Sequence, residues 1–293
     1  MDLRNEAAPM CIVVGMPRAG TTFLYYYLSQ HPDVFAPARK EVNYFSVFYE
    51  RGAAWYDSLY KGITPVQSGI DASPFYYLDA RSVHRIAKDQ KNAFVVLGIR
   101  QPSEMVCAMY ERIRSSTLDM PPFQSFLETF HWDIGSGLTL SLKEFPFLQR
   151  IKEYQELFGD RLLLYSFEAL NKSPLSVLNA VESHIRVKNH FNEDNFTNII
   201  INASKRRHNR RLSQFLKNEK LIDWLIRLLP RKAINRSREI FLKFSKAKTD
   251  SGKPPLDPAN MELSRSYFEK EDLAVARLFG ESDFIRGNQN IEV

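Results

Sequence analysis

The 293-residue chain predicts an α/β fold: a three-layer α/β/α arrangement around a central parallel sheet, with a helical C-terminal third. Two observations carry this. Short apolar runs, IVV at 12–14, AFVVLGI at 93–99 and RLLLYSF at 161–167, read as strands buried on both faces. Each is followed by a turn and then by apolar residues at helical spacing, the alternation that builds parallel sheets.

The length accommodates one large α/β domain or two small ones. A single domain spanning 1–293 is expected, with an α/β core at 11–185, a basic helical lid or insertion at 204–250 and a C-terminal helix at 260–285. Apolar residues at 44% and charged residues at 25% are ordinary globular values. The N-terminus MDLRNEAAPM lacks the apolar centre of a signal peptide. No apolar run reaches the roughly 20 residues needed to span a bilayer. Cys11 and Cys107 are the only cysteines, and their apolar contexts suit reduced packing residues rather than a disulfide framework. A cytoplasmic location follows as the expectation.

In chain order, the first strand leads through Gly15, Pro17 and Gly20 into a helix that opens at Thr21 and Thr22 and carries Phe23, Leu24, Tyr27 and Leu28. His31-Pro32 ends it. Beyond Pro37, residues 38–45 (ARKEVNYF) read as a loop or short strand, and the aromatic stretch 46–62 as a helix packed through Trp55 and Tyr56. Gly69-Ile70-Asp71 is a short strand, followed by the loop Ala72-Ser73-Pro74. After 93–99, Pro102 starts a helix at a favourable first-turn position, with Met105, Ala108, Met109 and Arg112 at helical spacing. Residues 115–137 are irregular and aromatic, either a substrate-facing loop or a packed connection. A helix at 147–158 turns at Gly159-Asp160 into the strand at 161–167, and an amphipathic helix covers 175–185. Pro254, Pro255 and Pro258 form a linker to a helix at 261–279 carrying Leu273, Val275 and Leu278.

The loop after the first strand is the chemical centre. Its glycines, and the unpaired amides and positive dipole end of the helix that follows, form an anion cradle. Gly15 to Thr22 has the spacing of the triphosphate-binding P-loop, GxxxxGK[ST], but reads GxxxxGTT. Thr21 stands where the lysine that reaches the β and γ phosphates is required, while Arg18 supplies a cation from inside the loop. The pattern therefore suits an anionic ligand other than ATP or GTP. The plain alternative is a tight strand-to-helix turn with no ligand. Arg100, at the carboxyl end of the 93–99 strand, lies where open α/β sheets bind ligands.

Several stretches together resemble the sulfotransferases that use 3′-phosphoadenosine 5′-phosphosulfate (PAPS). GMPRAGTTFL at 15–24 is similar to their 5′-phosphosulfate loop, RQPSEMVCAMY at 100–110 to their 3′-phosphate motif, and LLLYSFEAL at 162–170 to the strand and acidic turn after the donor site. KEVNYF at 40–45 resembles the KExxFF stretch of glycan sulfotransferases, and DASPFYY at 71–77 their SP-containing segment. The likeness covers most of 11–185, is closest to bacterial-type and heparan-type carbohydrate enzymes, and implies a P-loop-like fold with PAPS as donor substrate and no metal. It places Pro17, Arg18, Ala19, Gly20, Thr21 and Thr22 around the 5′ phosphate. Arg100 would hold the 3′ phosphate, with Ala108 standing where a serine hydroxyl is expected to help. Glu41 falls at the glycan enzymes' general base, Arg18 would neutralise the leaving group, and Lys40 would steady the transferring group. The alternative for Lys40 and Glu41 is a solvated ion pair. Ser73 either contacts the acceptor or shapes its proline turn, and His84 and His131 lack a partner at catalytic spacing.

The acceptor implied is a hydroxyl, or an amine, of a glycan, a glycolipid or a small alcohol. Between Ser204 and Lys248, fifteen Lys and Arg face three acidic residues, a net +12 that leaves −6 for the remainder against the overall +6. This basic stretch reads either as a lid or groove for an anionic acceptor or as a solvated helical face, with no motif for specific nucleic-acid binding. No zinc-ligand spacing and no GxSxG are present. Two other functions fit parts of the pattern: a P-loop small-molecule kinase, against which the missing lysine counts, and a non-catalytic nucleotide-binding protein on the same scaffold, for which Ala108 speaks. Oligomeric state is not legible.

Overall fold

The computed structural model describes residues 9–114, 120–129, 140–197, 256–280 and 282–287. The basic 204–248 stretch, His131 and the Pro254-Pro255 linker lie outside them.

Six strands form one sheet in the order β2-β3-β1-β4-β5-β6. Strands β1 (Cys11–Gly15), β2 (Val34–Phe35), β3 (Ser68–Ala72), β4 (Phe94–Ile99) and β5 (Leu162–Ser166) run parallel. The edge strand β6 (Phe284–Arg286) pairs antiparallel with β5, Tyr165 opposite Phe284. Too short for a hydrophobic period, β6 left no signal in the sequence.

Alternation along the strands divides the core into two layers. Ile12 and Val14 of β1, Val95, Leu97 and Ile99 of β4, and Leu162 and Leu164 of β5 pack on one side. Helices α3 (Ala80–Asp89), α4 (Pro102–Arg114), α5 (Phe123–Thr129), α6 (Phe147–Phe158) and α9 (Pro258–Phe279) cover that face. Cys11 and Val13, Phe94 and Val96, and Leu163 and Tyr165 pack on the other, under α1 (Thr21–Leu28), α7 (Phe167–Lys172) and α8 (Pro174–His184). Both faces are thus apolar, which is why the strands read as unbroken hydrophobic runs.

The stretch 46–62 forms a 3₁₀ turn at Tyr49–Arg51 and a short helix α2 (Ala53–Leu59) rather than one helix, with Gly52 at φ 78° separating the two. Residues 38–45 form a loop. In α9, Val275 and Leu278 are buried while Leu273 is 54% exposed. Asp272 of α9 accepts the backbone N–H of Ser103 at 3.0 Å, so the C-terminal helix caps the first turn of α4 from outside. Both cysteines are free and buried.

After β1 the chain crosses to β2 on one side, and after β4 it runs to β5 on the other. Diverging connections open a crevice at the carboxyl ends of β1 and β4. The loop 16–20, Arg100 and the start of α4 stand at that crevice.

Candidate functional site

Loop 16–20 is held at both ends. The Met16 N–H donates to Gly98 O at the end of β4, and the Ala19 N–H turns back to Met16 O at 3.2 Å. Arg18 adopts φ 65° and Gly20 φ 90°, both left-handed. At Gly20 the φ strains any side chain, and an added Cβ, 2.0 Å from Leu170 Cδ2, would also have to push the tip of that side chain aside. The first turn of α1 has no side-chain cap and no acidic residue, and its Phe23 and Leu24 amides both turn back to Gly20 O. The amides of Thr21 and Thr22 lie ahead of any intrahelical acceptor, at the positive end of the helix.

Arginines gather at this loop. Burial, reinforced by Arg112 and Arg100 and opposed by Glu41, lowers the Arg18 guanidinium to a pKa of about 10. Its Nε is shielded from solvent and has no hydrogen-bond partner among the described residues. Arg100 donates from Nη1 to Arg18 O at 3.3 Å, from Nε to Glu104 at 3.1 Å, and its guanidinium lies 4.4 Å from the Phe167 ring centroid. Ala108 is buried on α4, and Arg112 follows one turn later on the same helix face. Sequence reasoning placed Arg112 on the helix without a role at the site and did not single out Glu104. The first could have been found by carrying the 100–108 spacing four residues further.

Loop 38–45 brings the second group of predicted residues to the same place. Lys40 Nζ and Glu41 Oε1 form an ion pair at 2.6 Å, and Glu41 and Asn43 take φ of 60° and 53°. These left-handed residues cost of order 1–2 kcal/mol each and need support from outside the loop. A buried network supplies it. Asn43 N–H donates to Ser73 Oγ at 3.0 Å, and Ser73 O–H donates to Asp71 Oδ1 at 2.6 Å. Tyr76 and Tyr56 hydroxyls donate to Asp71 Oδ2 at 2.7 and 3.3 Å. Asp71 is fully buried, and burial pushes its pKa up to about 6 against the pull of the three hydroxyls and Lys40. Ser73 is itself fully buried, so it shapes the loop rather than facing outward. Asp71 was not singled out in the sequence because a lone acidic residue before a Ser-Pro turn does not announce its burial.

Beyond Lys40 the surface alternates guanidinium and aromatic groups. Arg39 lies 5.0 Å and Arg51 4.2 Å from the Phe48 ring centroid, with Arg51 also 4.8 Å from Trp55. Phe48 and Trp55 are only half-buried. Pro17, Arg18, Ala19, Gly20, Thr21, Thr22 and Arg100 thus share one crevice, and Glu41 lies within electrostatic reach of Arg18. His84 is exposed on α3. Among the described residues no group of three or more His, Cys, Asp or Glu could hold a metal, and no helix is long and apolar enough to cross a membrane.

The model of the sulfotransferase family matches residues 9–233. The chain is 34% identical over 105 residues to the membrane-associated sulfotransferase kil1 of Dictyostelium discoideum, covering 35% of this chain and 22% of that protein. It is 24% identical over 200 residues to the human heparan sulfate glucosamine 3-O-sulfotransferase 3A1, covering 67% of this chain and 48% of the relative. The chain therefore spans about half or less of the length of these relatives. In fold it is similar to a sulfotransferase from Alicyclobacillus acidocaldarius, with a TM-score of 0.52 and 22% identity over 64% of this chain and 88% of the other.

Proposed function

The chain belongs to the sulfotransferase family, and on that premise we propose that it moves a sulfuryl group from PAPS to a hydroxyl of a carbohydrate acceptor. The observation that carries the reading is the convergence of Arg18, Arg100, Arg112 and Glu41, from three separate stretches of chain, on one uncapped helix N-terminus. A partly buried guanidinium whose shielded Nε lacks a partner and whose charge is opposed by two neighbouring cations is stabilised by an anion. The 5′-phosphosulfate of PAPS fits that need. Amides of Gly20, Thr21 and Thr22, with Arg18, would hold it. Pro17 and Ala19 shape the turn, and Arg100 and Arg112 take the 3′ phosphate beside Ala108.

Sulfuryl transfer asks for alignment and charge neutralisation more than covalent chemistry. The acceptor oxygen attacks sulfur while the bond from sulfur to the bridging phosphate oxygen breaks. Glu41 takes the hydroxyl proton, Lys40 steadies the sulfuryl oxygens, and Arg18 neutralises the charge that appears on the departing phosphate. Adenosine 3′,5′-bisphosphate (PAP) and the sulfated acceptor leave.

A sugar acceptor is supported by the named relative that acts on heparan sulfate glucosamine and by the surface next to Lys40. There the Arg39 and Arg51 guanidinium groups lie over the Phe48 and Trp55 rings, a cationic patch suited to an anionic sugar. We read the chain as one domain, because β6 completes the same sheet and α9 caps α4.

The test pairs a PAP titration by calorimetry with labelled transfer from PAPS into a glycan panel. Glu41→Gln is expected to bind PAP as the wild type does and to lose transfer at least a hundredfold. Full transfer by that variant would refute the assigned base, and stabilisation by ATP without any by PAP would refute the donor.

A further inference from the structure

Tyr165 and Gly98 form a matched pair whose purpose is not visible in either strand alone. They are direct partners in the parallel ladder of β5 and β4, with side chains due on the same face of the sheet. Gly98 has none. The Tyr165 ring fills that space, since a Cβ on Gly98 would lie 2.3 Å from the Tyr165 hydroxyl oxygen and 2.4 Å from Cζ. The side chain thus lies across β4, and its hydroxyl donates to Ala19 O, in the loop after β1, at 2.7 Å. Tyr165 is fully buried, and burial raises its pKa well above the ordinary phenol value, so the group is a permanent proton donor.

The acceptor matters because of what shares its peptide plane. The Ala19–Gly20 bond is trans, and in a trans peptide the C=O and the following N–H point in opposite directions. Anchoring Ala19 O toward the sheet therefore turns the Gly20 N–H away from it, toward the side on which the Thr21 and Thr22 amides begin α1. Gly20, at φ 90°, would otherwise be the most easily rotated joint of the loop. We infer that Tyr165, reaching over Gly98, is a positioning residue for donor binding: it holds the Gly20 amide in the anion cradle without touching the donor. This rests on the reading of loop 16–20 as the 5′-phosphosulfate site.

The test measures PAP affinity by calorimetry on the full chain, with each variant's melting temperature recorded alongside. Tyr165→Phe removes one hydroxyl and keeps the ring over Gly98. It should weaken PAP about fivefold to tenfold, the fold-change of one hydrogen bond. Gly98→Ala, which displaces the hydroxyl instead of deleting it, should weaken PAP similarly, and the double variant no further. Tyr154→Phe is the control, because it deletes a buried hydroxyl bonded at 3.1 Å to Tyr76 O and should lower the melting temperature without moving PAP affinity. Arg18→Ala separates the two ideas. If it weakens PAP more than tenfold while Tyr165→Phe binds within twofold of wild type, the positioning role is overturned and the loop reading stands. If Arg18→Ala also binds as wild type, both fall.

Discussion

Replacing Gly20 by alanine probes the loop where backbone and packing constraints coincide. An L-residue at φ 90° costs about 1–2 kcal/mol in conformation alone. The new Cβ would also sit 2.0 Å from Leu170 Cδ2, where carbon atoms rest at roughly 3.5–4.0 Å. Leu170 is buried on α7, so its side-chain tip must move within a buried cluster to relieve the overlap, which adds about 1–3 kcal/mol. The sum is a loss of about 2–5 kcal/mol. The two parts separate in a cycle with Leu170→Ala, which carries its own cavity cost of about 2–5 kcal/mol but removes the obstructing methyl. The double variant should then cost less than the sum of the singles by about 1–3 kcal/mol, leaving the φ penalty in place. Urea unfolding of the four proteins, with m-values checked for constancy, measures this. Additivity within about 0.5 kcal/mol would show that the Leu170 contact does not constrain the loop, and the steric half of the reasoning would be lost.

Asp71 should leave a mark on the pH dependence of stability. Its folded pKa of about 6 lies above the ordinary aspartate value of 3.8, so the folded state holds the proton more tightly, and the group's contribution falls as pH rises through that window. Relative to Asp71→Asn, wild-type stability should drop by about 1.3 kcal/mol between pH 5 and pH 7. Urea melts at the two pH values measure it, and parallel behaviour of both proteins would exclude the assignment. At the other end of the site, Asp272→Ala removes the acceptor for the Ser103 amide and should cost about 1–2 kcal/mol, with Asp272→Asn, which keeps an acceptor oxygen, costing less. Equal losses in the two variants would mean that packing of α9, not capping of α4, is what Asp272 supplies.

The three main strands, the helices α1, α4 and α8 and the glycine loop were legible in the sequence for one reason, whereas α7, which follows β5 directly, was read as a turn. A strand buried on both faces needs an unbroken apolar run, and a helix needs its period, so burial writes itself into local composition. The absence of a lysine at Thr21 and the presence of Arg18 in the loop were equally local facts. What the tertiary structure decided was which distant residues meet. Arg112 joins Arg18 only because α4 packs beside β1's loop, and Glu41 reaches the same charge only because Asn43 is held through Ser73 by a carboxylate on β3. Asp71 looks in sequence like any acid at the end of a short strand, and its raised pKa arises from burial, with Tyr56 and Tyr76 bonded to it. The antiparallel β6 and the crossing of Tyr165 over Gly98 depend on strand order, which no window of sequence contains. Local composition therefore settled that this chain places a glycine loop and a helix start after a strand of a parallel sheet. The packing of non-adjacent elements decided which charges surround that loop and which hydroxyl bonds to Ala19 O within it.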